Sequence, residues 1–247
     1  ACEPYFIGSH SGASGAWVSG APDLAPAEYN WGPTNMTTVE GLFAAGDASG
    51  ASSHKFSSGS HAEGRIAAKA AISYIMDNNT EPDFSGVDIE ALKTETLAPL
   101  DLFEKFKAET SDPDIHPEYI KPRQFMFRLQ KLMDEYAGGV STQFSTNDKL
   151  LARGLELLDF LREDAEKLAA EGAHELTRCW ENVHRMWQAE AHIRTVLYRE
   201  ETRWPGYYFR ADKPTMDEEN WKCFVNCKWD AASGEWTMFK RDVLSIV

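Results

Sequence analysis

Residues 41–71 read GLFAAGDASGASSHKFSSGSHAEGRIAAKAA, and this stretch decides how the rest of the chain is read. Thr37 to Ala45 is apolar and β-rich and ends at Gly46-Asp47, which predicts a buried strand. A Gly/Ser-rich turn follows, then a helix over 60–76 that Asp77-Asn78-Asn79 stops. Ser60 and Glu63 have the S-x-x-E spacing of a capping box, in which two side chains satisfy two orphan backbone donors reciprocally. Such a cap is worth about 1 kcal/mol. Ahead of it, Ser57-Ser58-Gly59 lets a ligand approach the backbone, because Gly59 has no side chain. Behind it, Ala62, Gly64, Ala67, Ala68, Ala70 and Ala71 keep the helix slim. A strand–turn–helix unit of this kind aims a helix N-terminus at an anion. The dipole alone contributes roughly 0.3–2 kcal/mol. Asp47 stands where the strand ends, and open α/β sheets bind ligands at the carboxyl ends of their strands. A carboxylate there accepts hydrogen bonds from sugar or polyol hydroxyls, although the same residue could equally cap a turn.

With 247 residues the chain has enough length for one or two domains and a real core. Its 43% hydrophobic and 26% charged content is that of a soluble globular protein. A net charge of −14 argues against nucleic acid and against an anionic membrane as partners. No apolar run approaches the ~18 residues that cross a bilayer, and these residues do not open on a signal peptide, which a missing N-terminus would hide. The 4 cysteines, Cys2, Cys179, Cys223 and Cys227, form no C-x-x-C pair. That usage suits a reducing cytoplasm, with ordinary thiols and no metal site. The chain begins Ala1-Cys2-Glu3, with no initiator Met, and reads as the end of a longer protein.

Residues 1–35 are rich in Gly, Ser and Pro and read as loop and short strand. Residues 80–116 are acidic and carry Pro82, Pro99 and Pro113, a connector with a short helix near 88–109. Three amphipathic patterns follow. One runs over 117–136 with Phe125, Leu129, Leu132 and Tyr136 on one face and Gly138-Gly139 as its stop. The next runs over 147–170 with Leu151, Leu155, Leu158, Leu161 and Leu168, and the last over 173–201 with Leu176, Trp180, Val183, Trp187 and Val196. Short loops between such helices predict an antiparallel three-helix bundle over 117–203. Residues 204–247 form an aromatic tail, in which the runs 224–229 and 235–239 flank Asp230–Gly234 and predict a β-hairpin. Glu181 and His184 have the Glu-x-x-His spacing of di-iron helices. Those sites need two such pairs, so coincidence accounts for this one.

GLFAAGD followed by SSGSHAEGRIAAKA resembles the second FAD-binding segment of the fumarate reductase/succinate dehydrogenase flavoprotein family. The fold this implies is α+β and mainly helical. Residues 1–79 would be the C-terminal segment of a Rossmann-like FAD-binding domain, ahead of the connector, the bundle and the tail. Carried over by position, Gly46 and Asp47 form the ribityl end of the site, with Asp47 the ligand. Ser58, Gly59, Ser60 and His61 bring the helix start to the flavin, and Ser60 and His61 are the backbone donors to its pyrimidine ring. The family carries a catalytic histidine in a Gly-rich stretch, which places His10 of GSHSGASG there. Where the family has Asn-Arg before the helix, this chain has His54-Lys55. A lysine lacks the guanidinium fork that matches a carboxylate, which counts against a dicarboxylate substrate. Arg199-Glu200-Glu201-Thr202-Arg203 matches the family's closing R-E-S-R segment, so Arg203, like Lys55, is a candidate substrate ligand. Trp204-Pro205-Gly206-Tyr207-Tyr208 then replaces the usual Gly-Ala-His.

That replacement, the CEPYFIGSHSG start and the WKCFVN segment are similar to a sulfur-metabolising branch of the family. The resemblance implies a cytoplasmic FAD enzyme that reduces adenylylsulfate to sulfite and AMP, or runs in reverse, through a flavin N5–sulfur adduct. It further implies a heterodimer, with electrons exchanged through a ferredoxin-like iron-sulfur beta subunit carrying two [4Fe–4S] clusters. The chain's own 4 cysteines could not ligate those clusters. A fumarate reductase or succinate dehydrogenase flavoprotein is the alternative, and a non-catalytic helical docking fragment is the alternative from another class. No G-x-G-x-x-G is present to hold the FAD pyrophosphate. The chain expressed alone is therefore expected not to retain FAD. A stable, stoichiometric flavin absorption band in the purified chain would contradict this.

Overall fold

The computed structural model describes residues 14–50, 57–79, 81–109, 115–203 and 208–243. They fall in two compact units that divide between Gly86 and Val87, so the helix expected in the 80–116 connector belongs to the second. The described residues are mainly helical with a few short strands. Among them, no helix is long and apolar enough to cross a membrane.

In the first unit, the expected strand over 37–45 is replaced by a chain reversal. Val18 and Thr37, and Met36 and Phe43, pair only as isolated antiparallel bridges. The Thr37 hydroxyl takes the Val39 N–H at 3.1 Å, and such local capture competes with a sheet ladder. Gly41 then adopts φ +76°, a left-handed conformation open to glycine. The Thr37 N–H consequently reaches the Leu42 carbonyl at 2.7 Å. Gly46–Ala48 forms a single 3-10 turn, after which Ser49 bridges Ala16 in parallel.

Helix α1 (Ser57–Asp77) follows and buries only Ala67. Its small residues let it lie against the 46–48 turn. Farther along, Phe43 meets Tyr74 edge-on with ring centres 6.1 Å apart. The Tyr74 hydroxyl also donates to Glu40 at 3.0 Å. Ile66, Ile72, Ile75 and Met76 remain exposed.

The second unit opens with α2 (Ile89–Phe106), capped by the Asp88 carboxylate, which accepts the Ala91 N–H at 2.9 Å. Helix α3 (Pro122–Tyr136) starts with proline, where the missing N–H costs nothing. It buries Phe125, Leu129 and Leu132. After β1 (Ser145–Thr146), α4 (Asp148–Ala165) is capped by Asn147, whose side chain accepts from Leu150. It buries Leu151, Leu158 and Leu161 but ends at Ala165, short of the expected 170, and Leu168 instead bridges Ile120. Helix α5 (Ala173–Tyr198) buries Cys179, Asn182, Met186, Ala189, Ile193 and Val196. The three helices α3, α4 and α5 share one apolar core.

Trp180 and Trp187 lie at the edges of that face. Trp180 Nε1 donates to the Thr96 carbonyl of α2 at 3.0 Å. Trp187 packs on Trp229 and Trp236, with ring centres 5.0 and 6.4 Å away. Those two belong to the tail, which comprises β2 (Phe209–Arg210), the short helix α6 (Glu218–Trp221) and the antiparallel pair β3 (Cys223–Asp230) and β4 (Glu235–Asp242). The hairpin expected from the alternation is thus present, and it is longer at both ends. Strand β2 pairs in parallel with β1.

Arg210 holds the tail in place. Its side chain is fully buried, donating to the carbonyls of Val196 at 2.5 Å and Arg199 at 3.0 Å, where α5 ends. The same guanidinium bonds Asp148, the first residue of α4, and both oxygens of Asp212 at 3.0 Å. Arg210 thereby holds the Asp212 carboxyl below the usual carboxylate range. Without the guanidinium the Val196 and Arg199 carbonyls lose their donor, and an unsatisfied buried acceptor costs about 1–3 kcal/mol. Arg210→Met is expected to lower unfolding stability by about that amount, read by urea denaturation. Because the folded Asp212 value is depressed, its contribution is complete above the unfolded carboxylate value of about 3.9 and is lost as pH falls below it. Stability of the native protein should therefore fall on acidification below about pH 4, and more gently in Arg210→Met.

Candidate functional site

The candidate site lies where the 46–48 turn meets the start of α1. Gly46 is buried and sits at φ +64°. A Cβ on it would stand 3.0 Å from the Ser60 hydroxyl oxygen, so glycine is required both for the conformation and for the approach. The next residue, Asp47, is exposed at the same edge.

Helix α1 is already formed at Ser57. Ser60 is therefore inside the first turn, and the expected capping box with Glu63 does not form. The Glu63 carboxylate instead accepts the Gly46 N–H at 2.7 Å. In an α-helix the first N–H groups lack an intrahelical acceptor; with this start they belong to Ser57, Ser58 and Gly59. The N–H of His61, four residues on, falls to the Ser57 carbonyl in the helical ladder, which puts the N–H groups of the first turn upstream of the expected Ser60–His61 pair. The first turn contains no acidic residue, so nothing within it neutralises the partial positive charge of the helix end. Ser57, Ser58 and His61 are exposed, and Gly59 and Ser60 half-buried.

An exposed carboxylate and a set of backbone donors thus share one edge. The first can accept from hydroxyl groups of a polyol chain. The second can hold an anionic or carbonyl-bearing ring edge. The exposed Asp47 carboxylate, the glycine contact and the acid-free first turn of α1 together fit the ribityl and ring portions of a flavin.

Of the other sequence candidates, His10 and Lys55 lie outside the described residues. Arg203 lies in the second unit, where its guanidinium is already engaged. Its Nε donates to Glu201 at 2.7 Å and another nitrogen to Glu218 at 2.5 Å. Glu201 is itself fully buried. Burial raises its pKa, but bonds from Arg203, the Asp217 N–H and Arg199 outweigh that and lower it overall. Arg203 is in this respect part of the tail's anchorage.

Glu181 is paired with Arg178 at 2.6 Å. Among the described residues, no group of three or more His, Cys, Asp or Glu side chains could hold a metal ion. Sequence reasoning missed the role of Glu63; the S-x-x-E spacing drew attention to the residue but named the wrong partner.

Residues 127–245 match the fumarate reductase flavoprotein C-terminal family. Across 99% of its length the chain is 47% identical to the adenylylsulfate reductase alpha subunit of Megalodesulfovibrio gigas. Two solved structures superpose with a TM-score of 0.92 at 53% identity over 97% of the chain. One is adenylylsulfate reductase from Archaeoglobus fulgidus, and the other an adenosine-5-phosphosulfate reductase in complex with sulfite as a covalent adduct. The chain spans 38% of the length of each of these relatives. Over nearly its whole length the chain is therefore a homologue of the adenylylsulfate reductase alpha subunit.

Proposed function

We propose that this chain supplies the ring-side half of an FAD site in an alpha subunit that reduces adenylylsulfate to sulfite and AMP, or runs the reverse reaction. The observation that carries the proposal is the close approach of Gly46 to Ser60, which brings the turn bearing Asp47 against the first turns of α1. In this reading the first unit is the C-terminal segment of a Rossmann-like FAD domain, and α3, α4 and α5 of the second unit form an antiparallel helical scaffold. The Asp47 carboxylate accepts from the ribityl hydroxyls. The N–H groups at Ser57, Ser58 and Gly59, with Ser60 and His61 just behind them, face the flavin ring and favour negative charge there. Bound FAD supplies the two-electron chemistry that reduction at sulfur needs.

His10 and Lys55, assigned by resemblance, serve the substrate: His10 polarises the sulfate oxygens and Lys55 offsets sulfate or phosphate charge. Lysine meets such an anion as a point charge. The relative solved with a covalent sulfite adduct supports a sulfur oxyanion as the ligand. Electrons exchange with a ferredoxin-like beta subunit bearing two [4Fe–4S] clusters, and the assembly is cytoplasmic. The tail, anchored by Arg203, Glu201 and Arg210, is the candidate contact for that subunit.

The test uses the complete alpha subunit carrying this sequence, assembled with its iron–sulfur partner. Adenylylsulfate should yield AMP and sulfite, and fumarate should not be reduced. Asp47→Ala should weaken FAD binding about tenfold or more, the loss of a charged hydrogen bond. His10→Ala should retain flavin and lose on the order of 100-fold in turnover. Fumarate reduction without adenylylsulfate turnover would overturn the proposal, as would undiminished FAD affinity in Asp47→Ala.

A further inference from the structure

We infer that Glu63 is a positioning residue of the flavin site, fixing the turn that carries Asp47 against α1. The inference rests on the flavin reading above and extends it to a side chain which that reading leaves without a role. Glu63 lies beyond the first turn of a helix that starts at Ser57, so it serves no cap. Its Oε2 accepts the Gly46 N–H at 2.7 Å, across 17 residues of chain. The Gly46 carbonyl is held from the other side by the Ser49 N–H at 3.0 Å. Between those two bonds Gly46 has little freedom: its φ is +64°, and a Cβ there would press on Ser60 at 3.0 Å. Both peptide groups of Gly46 are therefore oriented, and the Asp47 backbone is oriented with them.

The bond has a length requirement as well as a charge. A glutamate reaches Gly46 from the helix, whereas an aspartate at the same place is shorter by one methylene, roughly 1.5 Å. A charged acceptor also bonds a backbone N–H more strongly than a neutral one. Sites of this kind work only when such supporting bonds hold their ligands in place. Glu63→Gln keeps the reach and removes the charge, while Glu63→Asp keeps the charge and removes the reach.

The experiment compares the two variants in the complete FAD-loaded alpha–beta complex, reading the FAD dissociation constant and the visible circular dichroism of the bound flavin. Glu63→Gln should bind FAD within about threefold of the native protein with an unchanged flavin spectrum. Glu63→Asp should bind about tenfold more weakly, with an altered spectrum and the same far-ultraviolet signal. If Glu63→Asp does not assemble, the same bond is read by Glu63→Gln retaining FAD and Glu63→Met losing it. Native FAD affinity and flavin spectrum in Glu63→Asp would overturn the inference, as would equal losses in Glu63→Gln and Glu63→Asp. Asp47→Ala separates the two levels. If it weakens FAD binding while Glu63→Asp does not, only the role of Glu63 falls; if Asp47→Ala also has no effect, the flavin reading falls with it.

Discussion

Arg210 is a guanidinium with no exposure to water, and the second unit is arranged around satisfying it. Five N–H donors with no solvent need acceptors from the protein, and an unpaired buried charge would be prohibitive. The acceptors come from the end of α5, the start of α4 and the tail itself. Each is a place where the backbone or a carboxylate is already suited to a cation: the last carbonyls of a helix carry partial negative charge. One side chain thus fixes three segments at once. Glu201 repeats the device with the sign reversed. It is a buried carboxylate between Arg199 and Arg203, and Arg199 carries the connection on to the Trp221 and Cys223 carbonyls at 2.8 and 2.7 Å. The hairpin therefore starts from a fixed point.

The first unit is held by different means. It has little apolar core, and its described segments are joined by single bridges and turns. Side chains of α1 tie it to the reversal and the 3-10 turn: Glu63 on Gly46, and Tyr74 on Glu40 and Phe43. Such an arrangement leaves Asp47 exposed beside α1, as a ligand site requires. The polar contacts set geometry here, where the apolar core of α3, α4 and α5 sets it in the second unit.

Sequence made the long helices legible because their apolar residues recur at helical spacing over many turns, as with Leu151, Leu158 and Leu161. The hairpin was legible because Gly234, at φ +70°, marks the turn between two alternating runs. Periodicity was less informative about the centre of the buried stripe. Trp180 and Trp187 lie at its edges, where their indoles reach α2 and the hairpin, and Cys179 and Met186 take the core. The strand over 37–45 failed because composition favoured β structure while one hydroxyl, on Thr37, and one glycine, Gly41, turned the chain. The capping box failed for a related reason. Local spacing paired Glu63 with Ser60, and the actual partner is far away in sequence. Arg203 was a candidate substrate ligand by resemblance, and which acids it pairs with, Glu201 and Glu218, is recognisable only once the tail has folded.

The central claim is that Asp47 and the start of α1 form the ring-side half of a flavin site. The most direct measurement is an experimental structure of the complete alpha subunit with FAD bound. The account predicts the Asp47 carboxylate within hydrogen-bonding distance of a ribityl hydroxyl, and the N–H groups of Ser57 to Gly59 directed at the pyrimidine edge of the ring. A flavin bound elsewhere, with Asp47 facing solvent and the helix start contacting only protein, would contradict it.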